Sequence, residues 1–454
     1  MRRLLELLDH PELHAPVIHI AGTKGKGSVA WLLSQTLIHS GMRTGLYTSP
    51  HLEHLEERFR VQGEMCGRDD IVAYVDLLRN PDKQLADEGF GFATFFELTT
   101  AIGWLHFRAQ KVDCAVVEVG LGGRLDSTNV CRPELCIITS ISMDHQAQLG
   151  NTLAAIAGEK AGIIKPGVTV VSGAVAPEAA NRIRDEARAR QAELWELHRD
   201  FEYRWSMAVE APYGTGEFGL TDAPDSSNHR PLHGGYMEYA RRSDGRGTGS
   251  FELKLLGEHQ AANAAIVCAA VDYLRERGWD IPGESLEWSL ATTQVPARLE
   301  VMGQRPWVLV DTAHNVASIE ALLRTLEDYF RPARSVLVFS VSRDKDYIPM
   351  LVKIVDHFDD VVLTQFQTNP RAVPVALLEQ TCREVMVTSA SARAKVITRS
   401  TPAEAWNHAR SMCGPEDLLC VAGSFFLVAE LLPLSRHSLP GGTARGFLPS
   451  KETR

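Results

Sequence analysis

One short segment constrains this chain more than any other. The apolar run Pro16–Ala21 (PVIHIA) ends on Gly22-Thr23-Lys24-Gly25-Lys26-Gly27-Ser28, and a helical pattern runs from Lys26 to Ser40. A strand that turns through glycines into a helix aims backbone N–H groups and the positive end of the helix dipole at one spot, and Lys26 adds a charge able to reach a bound anion. An anion site at the carboxyl end of a strand is therefore expected. The spacing departs from the standard phosphate-loop pattern, because Gly27 separates the lysine from the hydroxyl of Ser28. A glycine-rich joint without a ligand is the alternative, and the combination of glycines, lysines and hydroxyl in a strand–helix context weighs against it.

Further apolar runs repeat the pattern. Asp113–Val119 (DCAVVEV) and Leu135–Ile141 (LCIITSI) read as strands, and near-continuous apolar strands bounded by Gly and Pro fit a parallel sheet covered by helices on both faces. Between about 201 and 250 the periodicity gives way to Gly, Ser, Asp, Arg and Tyr. FEYRW and SFELKLL read as strands at its two ends, with HRPLHGGYMEYARRSDGRGTG between them as a long surface loop. A helix over Glu258–Arg275 follows, and Pro282 and Pro296 bracket another before a hinge. Alternation then resumes: WVLVDTA, SVLVFSV, DVVLTQF and LLCVAGS are strand candidates. Helices are expected around Ser318–Tyr329, Tyr347–Phe358, Pro402–Met412 and Phe425–Leu432.

The fold class expected is α/β. It comprises a P-loop ATPase-like N-terminal domain over 1–295, with a parallel central sheet and an irregular β insertion at 201–256. A smaller, Rossmann-like α/β domain follows over 296–436, with a flexible tail at 437–454. A chain of 454 residues exceeds what one core usually supports, which is why two domains are expected.

Composition excludes some functions. A formal net charge of -10 argues against a general nucleic-acid binder, which needs surplus Lys and Arg to neutralise phosphates. Glu6 and Asp9 interrupt the leucines of MRRLLELLDH well short of signal or membrane-span length, so that segment reads as a short amphipathic helix and no membrane partner is expected. Eight scattered cysteines without a C-x-x-C predict reduced, buried thiols in a cytoplasmic protein, with neither disulfides nor a zinc site.

Two further strand ends carry chemistry. Glu118 closes CAVVEV just before the glycine loop GLGGRLDSTN, and Asp144-His145 follows CIITSIS. Ligands of open α/β sheets gather at the carboxyl ends of strands, so both side chains are expected beside the phosphate loop. Carboxylate oxygen and imidazole near phosphates point to a divalent cation, magnesium above all. Taken singly, Glu118 as a solvated strand end and His145 as a structural histidine are the bland alternatives.

Taken together, the segments G-T-K-G-K-G-S, TSPHLEHLEERFRV, TFFEL, EVGLGGRLDSTN, SMDH, GEKAGIIKPG, PARLEV, DTAHN and VAGSFF resemble the folylpolyglutamate/dihydrofolate synthases of the Mur ligase family, in that family's order, from about Val17 to about Leu432 outside 201–250. What the resemblance implies is an ATP-dependent ligase that joins L-glutamate to a folate through an acyl phosphate. ATP would be a co-substrate, two magnesium ions the cofactors, and a monomer the acting form. It implies that Gly22 to Ser28, Asn263, Arg298, Asp311 and His314 contact the nucleotide, and that Ser49, Glu118 and His145 hold magnesium. Lys160 of GEKAG corresponds to a lysine that is carbamylated in relatives and helps hold a second ion; an ordinary lysine salt bridge is the alternative. With Lys26, the residues Glu118, His145 and Lys160 form the implied catalytic set. Thr94, Phe96 and Asp126 correspond to pterin-holding positions, which leans toward a bifunctional type that also accepts dihydropteroate. Arg58 and Ser424 are implied near the substrate carboxylates. Gln146 stands where the family pattern has threonine.

Two rivals share parts of this signature. A Mur-type peptidoglycan ligase would use the same chemistry, but a carrier-binding domain would be expected ahead of Gly22, where there is no room for one. A catalytically inactive nucleotide-binding module would not need Glu118, His145, Lys160, Asp311 and His314 together.

Overall fold

The computed structural model describes residues 1–207, 232–242 and 248–438. Its first sheet is built from β1 (Val17–Ala21), β2 (Thr44–Tyr47), β3 (Phe59–Val61), β4 (Glu64–Met65), β5 (Cys114–Glu118), β6 (Leu135–Ile138), β7 (Val170–Ser172) and β8 (Leu194–Glu196), in the spatial order β4-β3-β2-β5-β1-β6-β7-β8. From β2 to β8 across this order neighbours run parallel, while β3 and β4 form an antiparallel edge. Every residue of β1 and β5 is buried, as parallel strands covered on both faces must be. Ile18, Ile20, Val116 and Ile137 pack under the helices Lys26–His39, Glu258–Glu276 and Gly283–Thr292. Val17, Ala115 and Val117 face the helices Arg68–Asp87 and Phe95–Ala109 on the other side.

Three antiparallel strands, β9 (Phe201–Ser206), β10 (Gly235–Arg241) and β11 (Gly249–Leu253), make a separate small sheet in the order β11-β10-β9. This corrects the expectation of a loop between its end strands: GYMEYAR is the central strand. Gly235, Met237 and Tyr239 are buried while Tyr236 and Glu238 are exposed, a half-buried alternation that the surrounding Gly and Arg obscure in the sequence. The remainder of that expected loop lies outside the described residues.

The last sheet contains β12 (Glu300–Gln304), β13 (Trp307–Val310), β14 (Ser335–Phe339), β15 (Asp360–Leu363), β16 (Lys395–Thr398) and β17 (Leu418–Ala422), ordered β12-β13-β17-β14-β15-β16. Only β12 runs antiparallel among these described strands. Helices Val316–Tyr329, Tyr347–His357 and Val375–Thr388 cover one face, and Pro402–Met412 and Phe425–Ser438 the other. The last helix continues through the start of the expected tail to Ser438, and the rest of that tail lies outside the described residues. All eight cysteines are unpaired, seven of them buried. Among the described residues no helix is long and apolar enough to cross a membrane.

This topology fixes where the chemistry can lie. β2, β5, β1 and β6 are parallel neighbours, so the loops that follow them share one edge of the first sheet. β13, β17 and β14 present a second such edge, and the two edges face each other.

Candidate active site at the junction of two sheets

The glycine loop is held by the strand beside it. Thr23 N donates to Ser140 O (2.8 Å), the Thr139 hydroxyl donates to Lys24 O (2.6 Å), and the Thr23 hydroxyl donates to Ser142 O (3.2 Å). Gly25 caps the helix Lys26–His39 with φ 84°, in the left-handed region where a side chain is strained. A Cβ there would lie 2.1 Å from Asn263 Oδ1, so the Ala-rich helix Glu258–Glu276 packs against the loop through Asn263. Ser28 is buried in the first turn.

Lysines converge on this loop. Lys26 and Lys160 both donate to the carbonyl of Gly22, at 3.1 and 2.9 Å. Burial, with Lys26 adding to it, pushes the Lys160 ammonium down to about 7, so a substantial fraction is neutral amine near neutral pH. Burial likewise lowers Lys24 to about 8 despite its ion pair with Asp144 at 3.2 Å.

Glu118 stands across from the helix start. A Cβ on Gly27 would be 3.9 Å from both of its carboxylate oxygens and 3.8 Å from Arg298 Nη2, so glycine leaves the space between loop, carboxylate and guanidinium clear. The Ser49 amide donates to Glu118 Oε2 (3.1 Å), bringing the loop after β2 to the same point. Burial raises the Glu118 carboxyl, with Lys26 and Arg298 acting against that rise. His145 is backbone-strained at φ 49°, and burial with Lys345, Lys160 and Lys26 nearby lowers its imidazole to about 4. It is therefore a neutral nitrogen donor at neutral pH. Carboxylate, hydroxyl and neutral imidazole are the donor chemistry that suits a magnesium ion near phosphates, so Glu118, Ser49 and His145 fit the implied metal.

The six-stranded last sheet supplies the opposite wall. Arg298 precedes β12, donates to the Thr312 hydroxyl and lies over the Phe425 ring at 5.1 Å. The Asp311 carboxylate, at the end of β13, accepts from Leu299 N (2.7 Å) and Ala313 N (2.6 Å), which ties the PARLEV and DTAHN turns together. His314 has Nδ1 2.7 Å from Thr312 O, packs its ring tilted against Phe425 with centroids 5.7 Å apart, and keeps Nε2 3.8 Å from Asp144. Ser424 is buried after β17, and its hydroxyl accepts from Phe426 N (3.1 Å), a local cap.

The expected pterin positions form a neighbouring group. Phe96 covers Gly120, where a Cβ would meet its ring at 2.3 Å. Asp126 accepts from Leu121 N (2.9 Å) and from Thr128, and burial raises its carboxyl. Thr94 is the N-cap of Phe95–Ala109, its hydroxyl engaged with Glu97 in a capping box. Arg58 is buried, donates to His51 Nδ1 (2.9 Å) and lies over Phe95. Phe92, Phe95 and Leu125 stay largely exposed around this group. Sequence reasoning passed over them, and also over Asn315 and Lys345, both of which reach Asp144 from the six-stranded last sheet. Only their family of loops, not their spacing, could have flagged them.

The two larger α/β sheets, one of them carrying the glycine loop, meet at their strand-end loops, and both regions match domains of the Mur ligases, a class of ATP-dependent amide-forming enzymes. The Mur ligase middle domain matches residues 92–271 and the Mur ligase glutamate ligase domain matches 297–425. The chain belongs, within that class, to the folylpolyglutamate synthase/dihydrofolate synthase family. It is 33% identical to the folylpolyglutamate synthase of Lacticaseibacillus casei over 82% of each chain. It is 35% identical to the dihydrofolate synthase/folylpolyglutamate synthase of Bacillus subtilis over 78% of this chain and 77% of that one. The folylpolyglutamate synthase of Mycobacterium tuberculosis, solved with ADP and AMPPCP, superposes with a TM-score of 0.82 at 30% identity, covering 96% of this chain and 94% of the other.

Proposed function

We propose that this enzyme joins L-glutamate to a folate at the expense of ATP, with dihydropteroate as a second acceptor, and works as a cytoplasmic monomer with segments 1–295 and 296–436 as its two lobes. The observation that supports this reading best is the convergence of Lys26, Glu118, the Ser49 loop and Arg298 around the space that Gly27 leaves clear.

A carboxylate does not acylate an amine directly, because its oxygen leaves poorly. Transfer of the γ-phosphoryl group onto the folate or pteroate carboxylate makes an acyl phosphate, which the glutamate amine then attacks with release of phosphate. The loop N–H groups and Lys26 would hold and offset the phosphates. Ser49, Glu118 and His145 would hold magnesium, which when bound offsets charge on the transferring group. Lys160, whose buried ammonium is pushed down to about 7, is suited to add as the neutral amine to carbon dioxide with release of a proton, and the resulting carbamate would be an anion able to hold a second ion. Arg298, His314 and Asn263 would enclose the nucleotide between the lobes, with Asp311 contacting it as well and bracing the turns that carry Arg298 and His314. Phe96 and Asp126 offer a ring and a carboxyl for a pterin edge, while Arg58 and Ser424 border the carboxylate end of the acceptor. No protein nucleophile is required.

The test is phosphate release by purified protein with ATP, magnesium and glutamate, comparing tetrahydrofolate with dihydropteroate. Release that needs both glutamate and a pterin acceptor is the expected result. Nucleotide binding without such turnover would favour an inactive module, and turnover only with muramyl substrates a peptidoglycan ligase.

A further inference from the structure

We propose that Asp144 is a positioning residue that seats the second lobe on the glycine loop and presents the Lys345 ammonium to the reacting end of the cleft. Its side chain is almost fully buried, and both oxygens are engaged. Oδ1 accepts from Lys345 Nζ (2.8 Å) and from the backbone N of His145 (2.9 Å). Oδ2 accepts from Asn315 Nδ2 (2.7 Å) and Lys24 Nζ (3.2 Å), with His314 Nε2 at 3.8 Å. One carboxylate thus joins the loop after β1, the loop after β6, the loop after β13 and the loop after β14.

The residue type matters. Lys24 and Lys345 are both largely buried, and a buried ammonium needs an anion within contact distance. Asp344 also approaches Lys345, at 3.8 Å, but is more exposed. An amide at 144 would keep the shape while turning one oxygen into a donor that faces cations. Removing one member of a buried charge cluster is strongly disruptive to the partners left behind, so Lys345 would lose its seat beside the glycine loop. The Lys26 contact to the glycine loop does not pass through Asp144, whereas those of Lys24 and His314 do, so nucleotide binding should weaken less than turnover.

This rests on the ligase reading, and the experiment separates the two. In the full-length enzyme, Asp144→Asn and Lys345→Ala should each lower kcat/KM for glutamate by about 30- to 100-fold, with nucleotide Kd raised by less than about tenfold, a smaller change than that in turnover. The double variant should be no worse than the poorer single one within about threefold, because the two side chains act as a unit. Asp144→Glu, which keeps the charge, should recover at least about tenfold over Asp144→Asn. Small-angle scattering of the nucleotide-free protein should show a larger radius of gyration for Asp144→Asn than for wild type, a readout that needs no turnover. Far-UV dichroism checks folding, and Asp144→Glu with Lys345→Ala carries the same test if the asparagine variant does not fold. Near-wild-type turnover in Asp144→Asn, multiplicative losses in the double variant, nucleotide affinity lost in parallel with turnover, or unchanged scattering would each overturn the proposal. Absent wild-type turnover would count against the ligase reading, while the scattering result would still decide the seating role.

Discussion

Gly25 offers a quantitative probe of how the anion cradle is built. Substitution by alanine meets two obstacles that other glycines of the chain separate. Its φ of 84° strains any side chain, by about 1–2 kcal/mol. Its Cβ would also sit 2.1 Å from Asn263 Oδ1 and 2.9 Å from that residue's Cγ, inside any attainable contact. Gly41 isolates the first obstacle: φ is 90° and no atom lies within 4 Å of the added carbon. Gly41→Ala should therefore destabilise by about 1 kcal/mol and leave nucleotide affinity alone. Gly25→Ala should add the displacement of Asn263, for a total of about 2–4 kcal/mol, within the range for overpacking a close-packed site. Nucleotide affinity should fall more than about tenfold, because the first N–H groups of the helix Lys26–His39 are re-aimed. Removing the obstructing amide in Gly25→Ala/Asn263→Ala should return stability toward the Gly41→Ala value. Urea unfolding and titration with a fluorescent ATP analogue measure both quantities. If Gly25→Ala matched Gly41→Ala in stability and affinity, Asn263 would not be pressing on the loop and the account of the cradle would fail.

Other outcomes follow from the same geometry. Lys26→Ala, Glu118→Ala and His145→Ala should each reduce turnover by about 10²–10³-fold while the far-UV dichroism is unchanged, the scale seen for lost electrostatic stabilisation; near-normal rates in all three would remove the assigned roles. Lys160→Ala should abolish turnover, and added acetate or formate should restore part of it, whereas rescue by amines instead would point to a working ammonium. His19 is fully buried with its imidazole held at about 3, burial being the cause. Between that value and the ordinary 6.5 the unfolded chain binds a proton that the native one refuses, so stability present above 6.5 is lost as pH falls. The loss from pH 7 to pH 5 should be smaller in His19→Gln by about 2 kcal/mol, read from urea midpoints; equal losses would mean a charged or exposed imidazole.

The sequence made β1, β5, β6, β13, β14, β15 and β17 legible because a parallel strand buried on both faces is a plain apolar run. Several runs outlast their strands: Leu135–Ile141 becomes β6 at Leu135–Ile138, and WVLVDTA becomes β13 at Trp307–Val310. The surplus residues leave the sheet to build the site, which is why Thr139 and Asp311 look apolar-flanked yet hold loops. β10 was hidden because one wet face dilutes its pattern with Glu238 and Tyr236. Glu118, His145 and the glycine loop could be found from strand ends alone. Lys345 could not, since SRDKDY reads as any solvated charge run until topology sets the end of β14 opposite β6. Thr94 and Asp126 show the converse, residues whose visible work is capping a helix and a turn.

The small sheet β9–β11 reaches the chemistry without touching it. Met237, Tyr239 and Leu253 join the same core as the helix Glu258–Glu276, and the Tyr239 hydroxyl donates to Asp272 at 3.0 Å. That helix braces Gly25 through Asn263 near its other end. A peripheral flap of antiparallel strands is thus a buttress for the glycine loop, and random mutagenesis scored by ATP affinity should recover changes at Tyr239 and Asp272, far along the helix from that loop.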